Sequence, residues 1–275
     1  MTTPGNPGTA LITGASTGIG AIYADRLARR GYDLILVARN RERLDTLARR
    51  LTTETHRSVE VLPANLNDKA DLARIEDKLR SDASITMLVN NAGMAAITAL
   101  AVSDVTRMQD MIDLNVTAVM RLTAAVVPAF VSRGTGAIIN IGSIVSVAPE
   151  ALNAVYGGSK AFVFAFSQAL RQELSDKGIR VQVVLPGATA TDLWSDAGRP
   201  VELLPQQIVM TAEDMVDAAL AGFDSGEFAT LPALPEIADW NAFEAARLAL
   251  RPNLSHSKPA ARYMIYRKAV TTELT

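Results

Sequence analysis

Ala10-Leu11-Ile12-Thr13-Gly14-Ala15-Ser16-Thr17-Gly18-Ile19-Gly20 is the stretch that decides the fold. Residues 10–13 make a short apolar strand that runs straight into a glycine turn. Ala21, Ile22, Ala24, Leu27 and Ala28 then supply the apolar side of a helix that Gly31 ends. A helix that begins in such a turn aims unpaired backbone N–H groups and the positive end of its dipole at one spot, which makes an anion site. Glycines allow the tight turn and let a pyrophosphate approach the backbone. The spacing is G-x3-G-x-G, not the commoner G-x-G-x-x-G of dinucleotide-binding folds. Gly14, Ser16, Thr17, Gly18, Ile19 and Gly20 are the candidate phosphate-binding residues.

Residues 33–38 form a second strand, and its unbroken apolar run Leu34-Ile35-Leu36-Val37 suits a parallel strand covered on both faces. Its end bears on cofactor choice. An acidic residue about 20 positions past the glycines would hold a ribose 2′-hydroxyl and repel a 2′-phosphate. Ala38 and Arg39 stand there instead, with Arg41 and Arg43 close behind. A guanidinium beside an uncharged strand end suits a 2′-phosphate, so NADP(H) is expected in preference to NAD(H), with Arg39 on the phosphate. The alternative is that these arginines are a solvated helix start.

Helical and strand patterns keep alternating from there. Helices are expected over 41–53, 68–81, 104–131 and 153–177, and strands over 58–62, 85–89, 136–141 and 180–185. Such alternation predicts an α/β fold with a doubly wound parallel sheet (a Rossmann fold) and right-handed crossovers. A further helix is expected over 211–223, capped at Thr211, and a last strand over 227–231. The expected organisation is a flexible tail over 1–8, one dinucleotide-binding and catalytic domain over 9–231, and a C-terminal extension over 232–275. In that extension Ile237, Trp240, Phe243, Ala246 and Leu250 mark an amphipathic helix stopped by Pro252. Its apolar face is expected to bury on the domain, over the substrate mouth or on a partner subunit.

Composition removes several other classes. Lys+Arg 27 against Asp+Glu 29 gives a net charge of −2, so no basic field points to nucleic acid. With no cysteine, disulfides and thiol chemistry are excluded, and His56 and His256 lie too far apart in sequence to suggest a metal site. No stretch reaches 18 uninterrupted apolar residues; the longest candidate, 118–131, contains Arg121 and Pro128. The start is Thr/Pro/Gly-rich without a basic–apolar pattern, and a cytoplasmic location is expected.

Tyr156 and Lys160 are four residues apart on an expected helix, so they share one face. A phenol titrates near pH 10, and lowering that to about 7 takes roughly 4 kcal/mol. An ammonium about 4 Å away supplies on the order of 4 kcal/mol at an effective dielectric of 20, so a tyrosine made reactive by its lysine is physically sensible. Ser143 lies just past a strand end, where it can join Tyr156 in donating hydrogen bonds to a developing alkoxide. Asn115, set among Ile112, Leu114 and Val116, needs buried partners. Asn90-Asn91-Ala92-Gly93 follows a strand at the carboxyl edge, where ligands bind in such sheets.

Taken together, Thr13-Gly14-x3-Gly18-Ile19-Gly20, Asn90-Asn91-Ala92-Gly93, Asn115, Ser143, Tyr156-x3-Lys160, and Pro186-Gly187 with Thr191 resemble the short-chain dehydrogenase/reductase family over about residues 9–231. The resemblance implies that Tyr156 donates or accepts the proton of the alcohol or carbonyl oxygen. It implies that Lys160 lowers the tyrosine pKa and binds the nicotinamide ribose, that Ser143 orients the substrate oxygen, and that Asn115 holds a water linking Lys160 to solvent. Asn91, Ala92 and Gly93 would lie along the cofactor, and Pro186, Gly187, Thr189 and Thr191 near its carboxamide and phosphates. Two positions depart from the family pattern. Asn65, before Leu66, stands where an aspartate is usual and can still meet an adenine edge; Gly158 replaces the usual alanine, with extra room beside the cofactor as its one apparent effect.

The expected activity is interconversion of a carbonyl and an alcohol, with a lipophilic ketone or aldehyde suggested by Leu152, Leu193, Trp194, Leu203 and Leu204 and by apolar stretches at 94–97 and 144–147. A dehydratase or epimerase using the same site, or an NADP(H) sensor without chemistry, are the alternatives. Helices apolar on most sides around Met108–Val127 and Phe162–Phe166 suggest a homodimer or homotetramer.

Overall fold

The first strand, β1 (Thr9–Thr13), leads through the glycine turn into α1 (Gly18–Arg29), and the same alternation continues through β2 (Asp33–Ala38), α2 (Arg41–Thr55), β3 (Val59–Pro63), α3 (Lys69–Ser81) and β4 (Ile85–Asn90) in the computed structural model, which describes residues 7–264. After β4 come α4 (Val105–Ile112), a π-helical stretch (Asp113–Ala118), α5 (Val119–Arg133), β5 (Gly136–Ile141), α6 (Ala154–Leu174) and β6 (Ile179–Val184). The chain continues through the short α7 (Leu193–Asp196), α8 (Ala212–Asp224), β7 (Ala229–Thr230) and α9 (Ile237–Ala249).

The strands form one parallel sheet in the order β3-β2-β1-β4-β5-β6-β7. Apolar strand residues divide between its two faces with period two. Ala10, Ile12, Leu34 and Leu36 pack with Leu27 of α1, Leu44 of α2 and Met215 of α8. Leu11, Ile35 and Val37 pack with Ile75 of α3, Leu122 and Phe130 of α5 and Leu170 of α6. Both faces are covered, which is why the strands read as unbroken apolar runs. The strand order reverses between β1 and β4, and the carboxyl ends of these strands open the crevice where ligands bind in such sheets.

Local sequence starts most of the helices. Asn40, Asp68, Asp104, Asn153 and Thr211 each accept backbone N–H bonds at a helix start, which offsets the unsatisfied donors there. Three expected elements differ. The helix expected over 104–131 contains the wider π turn around Asn115, where that side chain is bound from outside the helix. The strand expected over 227–231 is only Ala229–Thr230, paired to Val183 and Val184 at the sheet edge; Pro232 beyond it has no N–H to give a ladder. The helix expected to end at Lys177 tightens after Leu174 into a 3₁₀ turn closed by Gly178 at φ 72°. Val105–Arg133 is long and apolar enough by length and composition to cross a membrane, yet Leu122, Ala125, Val126 and Phe130 on it are core residues under the sheet.

Contacts divide the chain into Met1–Ala233 and Leu234–Thr275. Within the second unit, α9 is followed by a 3₁₀ turn at Arg251–Asn253 that contains Pro252, and the Trp240 and Phe243 rings stand 5.4 Å apart. Ile237, Phe243 and Leu250 are exposed.

Candidate active site

The crevice is a cleft of about 2290 Å³, larger than the roughly 300–1,000 Å³ that a drug-sized ligand needs. Its floor begins at the glycine turn. Gly14 and Gly18 have φ of 66° and 51°, in the left-handed region. A Cβ at Gly20 would stand 2.3 Å from the Gly14 carbonyl oxygen, so no other residue fits beneath the turn. Thr17 precedes α1 without a side-chain cap and no acidic residue occupies its first turn. The first N–H groups of that helix are thus left for a ligand anion, and the turn fits a pyrophosphate on these grounds.

Thr13 ties this turn to the end of β4. Its hydroxyl accepts from the Asn91 and Ala92 N–H groups, both at 3.0 Å, and donates to the Val89 carbonyl. The Asn91 side chain donates in turn to the Thr13 and Gly14 carbonyls. Asn91 therefore holds the turn in place and, with its neighbours Ala92 and Gly93, lines the cleft. Asn90 points the other way, into a buried group with Thr123 and Asn140, and Asn140 donates to Ser167.

Tyr156, Ser143 and Lys160 meet on the opposite wall, each almost wholly buried. Asn153 caps α6 by accepting from the Val155 and Tyr156 N–H groups, which sets where Tyr156 leaves the helix. Burial raises the Tyr156 phenol above its ordinary value, and a hydrogen bond with Ser143 works in the lowering direction. Lys160 Nζ donates to the Ile141 carbonyl at 2.9 Å and lies 6.0 Å from the Tyr156 ring centroid. Burial brings the lysine down to about 8. Burial of the phenol acts against the lowering expected from the Lys160 ammonium, which is itself engaged with the Ile141 carbonyl.

Asn115 and Gly20 lie behind the cleft rather than in its lining. Asn115 Oδ1 accepts from the Met94 N–H at 2.8 Å, and its Nδ2 donates to the Met94 carbonyl and to Ser159 Oγ. Ser159 passes the link on by donating to the Tyr156 carbonyl. The side chain is thus a brace between α4–α5, the β4 loop and α6, and Gly93 leaves the gap where Asn115 and Lys160 approach each other. The other candidates, Ser16, Thr17, Gly18, Ile19, Arg39, Asn65, Leu66, Pro186, Gly187, Thr189 and Thr191, all line the cleft. Arg39 does so as an exposed residue at the end of β2. Asn65 Oδ1 already accepts from the Asn67 N–H at 3.3 Å.

Gly158 corrects the expectation of extra cofactor room. A Cβ there would meet nothing within 4 Å, the position is exposed, and it is outside the cleft lining. At the substrate end Met94, Ile144, Leu152, Leu193, Trp194 and Leu204 are in the walls, whereas Leu203 is 65% exposed and turned away. Asn153, Ser159 and Arg107 were not visible as site residues from the sequence. A helix-starting asparagine just before Tyr156 was the available signal for the first; the other two are evident only from long-range contacts.

Comparison with known proteins agrees with this geometry. The short chain dehydrogenase family model matches residues 8–201. The chain belongs to the short-chain dehydrogenase/reductase family. Among solved structures it is similar to a short-chain dehydrogenase from Sphingobium yanoikuyae in complex with NADPH, with 51% identity, a TM-score of 0.91, and coverage of 93% of this chain and 99% of that one. It is also similar to the bulky-bulky ketone specific alcohol dehydrogenase from Comamonas testosteroni, at 45% identity and a TM-score of 0.87 over 94% and 99% of the two chains. Human 17-beta-hydroxysteroid dehydrogenase type 3 is 34% identical over 213 residues, which span 77% of this chain and 66% of that protein's length.

Proposed function

We propose that this short-chain dehydrogenase/reductase interconverts bulky, mainly apolar ketones or aldehydes and the corresponding alcohols with NADP(H). The observation that carries the reading is the meeting of Tyr156, Ser143 and Lys160 in one buried wall, facing a glycine turn built for a pyrophosphate. The nicotinamide cofactor supplies the hydride when bound. The glycine turn and the free N–H groups of α1 would hold its pyrophosphate, Arg39 its 2′-phosphate, and Lys160 its nicotinamide ribose.

The chain's own task is to orient the carbonyl and deliver a proton. Ser143 and Tyr156 both donate toward the carbonyl oxygen and stabilise the charge that grows there. Burial keeps the Tyr156 phenol protonated at neutral pH, which is the form that reduction needs. In the oxidative direction the same phenol must lose its proton first. Asn115 acts as a brace for this wall, and we assign it the further role of holding a water beside Lys160.

Apolar side chains such as Leu152, Trp194 and Leu204 favour a lipophilic substrate, and the relatives named for NADPH and for bulky ketones support the same cofactor and substrate class. Partly exposed apolar residues on α5 (Met120, Val131) and the stacked Phe162 and Phe166 of α6 are read as the faces of a twofold dimer. The test of the site is Tyr156→Phe. Carbonyl-dependent NADPH consumption should fall by about 10²–10⁴-fold, the usual share of a positioned acid, while NADPH still binds. Turnover within a few fold of the parent would refute the role of Tyr156.

A further inference from the structure

Asn153 belongs to two parts of the cleft at once. It is 3% exposed and stands at the start of α6. Its Oδ1 serves the helix, accepting from the Val155 and Tyr156 N–H groups at 2.9 and 3.2 Å. Its Nδ2 reaches a segment about 55 residues away in sequence, donating to the Thr98 carbonyl and to Ser103 Oγ at 3.4 Å. Ser103 donates in turn to the Thr98 and Ala99 carbonyls at 3.1 and 2.9 Å. A side-chain amide has an acceptor at one end and donors at the other, and here both ends are engaged.

The segment it holds, residues 94–103 between β4 and α4, supplies Met94, Ala95, Ile97 and Ala99 to the cleft lining. Asn115 fixes its near end at the Met94 N–H and carbonyl, and Ala96 is buried in one cluster with Tyr156. Past Thr98 the apolar cover ends, with Leu100 59% and Val102 76% exposed. Little burial fixes that far end, so the hydrogen bonds at Thr98 decide where the segment stands. The same two asparagines bracket the Tyr156 backbone. Asn153 accepts from its N–H, and Asn115 reaches its carbonyl through Ser159. This wall of the cleft and the proton donor therefore share one framework, and Asn153 is its link at the exposed end.

We propose that Asn153 is a positioning residue that sets the width of the substrate site, by holding residues 94–103 against the helix of Tyr156. With its Nδ2 in place, Ala95 and Ile97 stay at the cleft and a ketone with small substituents is held closely. Without that donor the segment retreats at its Thr98 end, and the site admits larger substituents while holding small ones less well. The helix cap is the work of the other end of the amide, so the tie can be removed and the cap kept. This rests on the carbonyl reading above.

Two variants separate the tie from the cap. Asn153→Ser keeps a capping oxygen and has no second polar end to reach Thr98. Ser103→Ala loosens the tie from the other side and leaves the α6 cap untouched. The full-length parent and both variants are assayed with saturating NADPH on alkyl phenyl ketones from acetophenone to hexanophenone, and NADPH binding is titrated separately. In each variant the ratio of kcat/KM for hexanophenone to that for acetophenone should rise by about fivefold, the scale of one hydrogen bond. The change should lie mainly in a raised KM for acetophenone, with NADPH affinity close to the parent's. A uniform fall in kcat for every ketone, with the ratio within about twofold of the parent's, would make Asn153 a helix cap alone and refute the inference. Should Asn153→Ser fail to fold, the ratio for Ser103→Ala decides in the same way. If the parent reduces no ketone at all, the carbonyl reading falls and this inference with it.

Discussion

Replacing Lys160 with methionine should make the protein more stable near neutral pH, although it removes a group assigned to the reaction. Burial holds the ammonium down to about 8 from 10.5, which at 1.36 kcal/mol per unit is a folding penalty of roughly 3 kcal/mol wherever the lysine is charged in both states. Methionine has similar length and no charge, so the penalty disappears. The Ile141 carbonyl loses its 2.9 Å partner, at a cost of about 1 kcal/mol. The net expectation at pH 7 is about 2 kcal/mol of added stability, or about 4 °C in Tm for a chain of this size.

The sign of the pH dependence follows from linkage. The folded-state pKa lies below the unfolded one, so the unfolded chain binds more protons between about 8 and 10.5 and the parent gains stability across that window as pH rises. The advantage of Lys160→Met should therefore be full below about pH 8, shrink above it, and cross zero near pH 10. Urea unfolding followed by circular dichroism at several pH values from 7 to 10, without nucleotide, gives the difference directly. A variant less stable than the parent at pH 7, or a difference that does not change with pH, would refute the claim that Lys160 is a buried, strained cation.

Two further substitutions probe other parts of the account. Arg39→Asp should move preference from NADPH toward NADH, measured as the ratio of the two dissociation constants, because a carboxylate repels a 2′-phosphate and accepts from a ribose hydroxyl; an unchanged ratio removes Arg39 from the phosphate. Gly158→Ala should stabilise the protein by roughly 0.5–1 kcal/mol in urea unfolding, since the position is helical and an added Cβ meets nothing within 4 Å; a loss of stability or of nucleotide affinity would show a constraint there that the packing does not reveal.

The fold was legible where local and global signals agree. An apolar run covered on both faces, such as Leu34–Val37, has few other readings, and the glycine turn fixes where β1 stops and α1 starts. The residues that chemistry requires also stood out, because Tyr156 and Lys160 share a helix face and Ser143 ends a strand. What could not be read was set by contacts between distant segments. The π turn around Asn115 exists with Met94 and Ser159 as partners, neither of them near it in sequence. At Tyr156 spacing conveys the pairwise attraction of the lysine, whereas desolvation depends on how completely the wall closes. Gly158 shares a helix with Tyr156 and Lys160, but successive helical residues point about 100° apart and this one faces outward.

The proposed NADP(H)-dependent carbonyl chemistry would take place in the cleft that joins the glycine turn to Tyr156. Titration of the full chain with NADPH and with NADH, followed by loss of reduced-nicotinamide absorbance on addition of bulky aryl and alkyl ketones, tests it most directly. NADPH should bind more tightly than NADH, and ketone should drive oxidation of the bound cofactor. Failure to bind either nucleotide would contradict it from Gly14 onward.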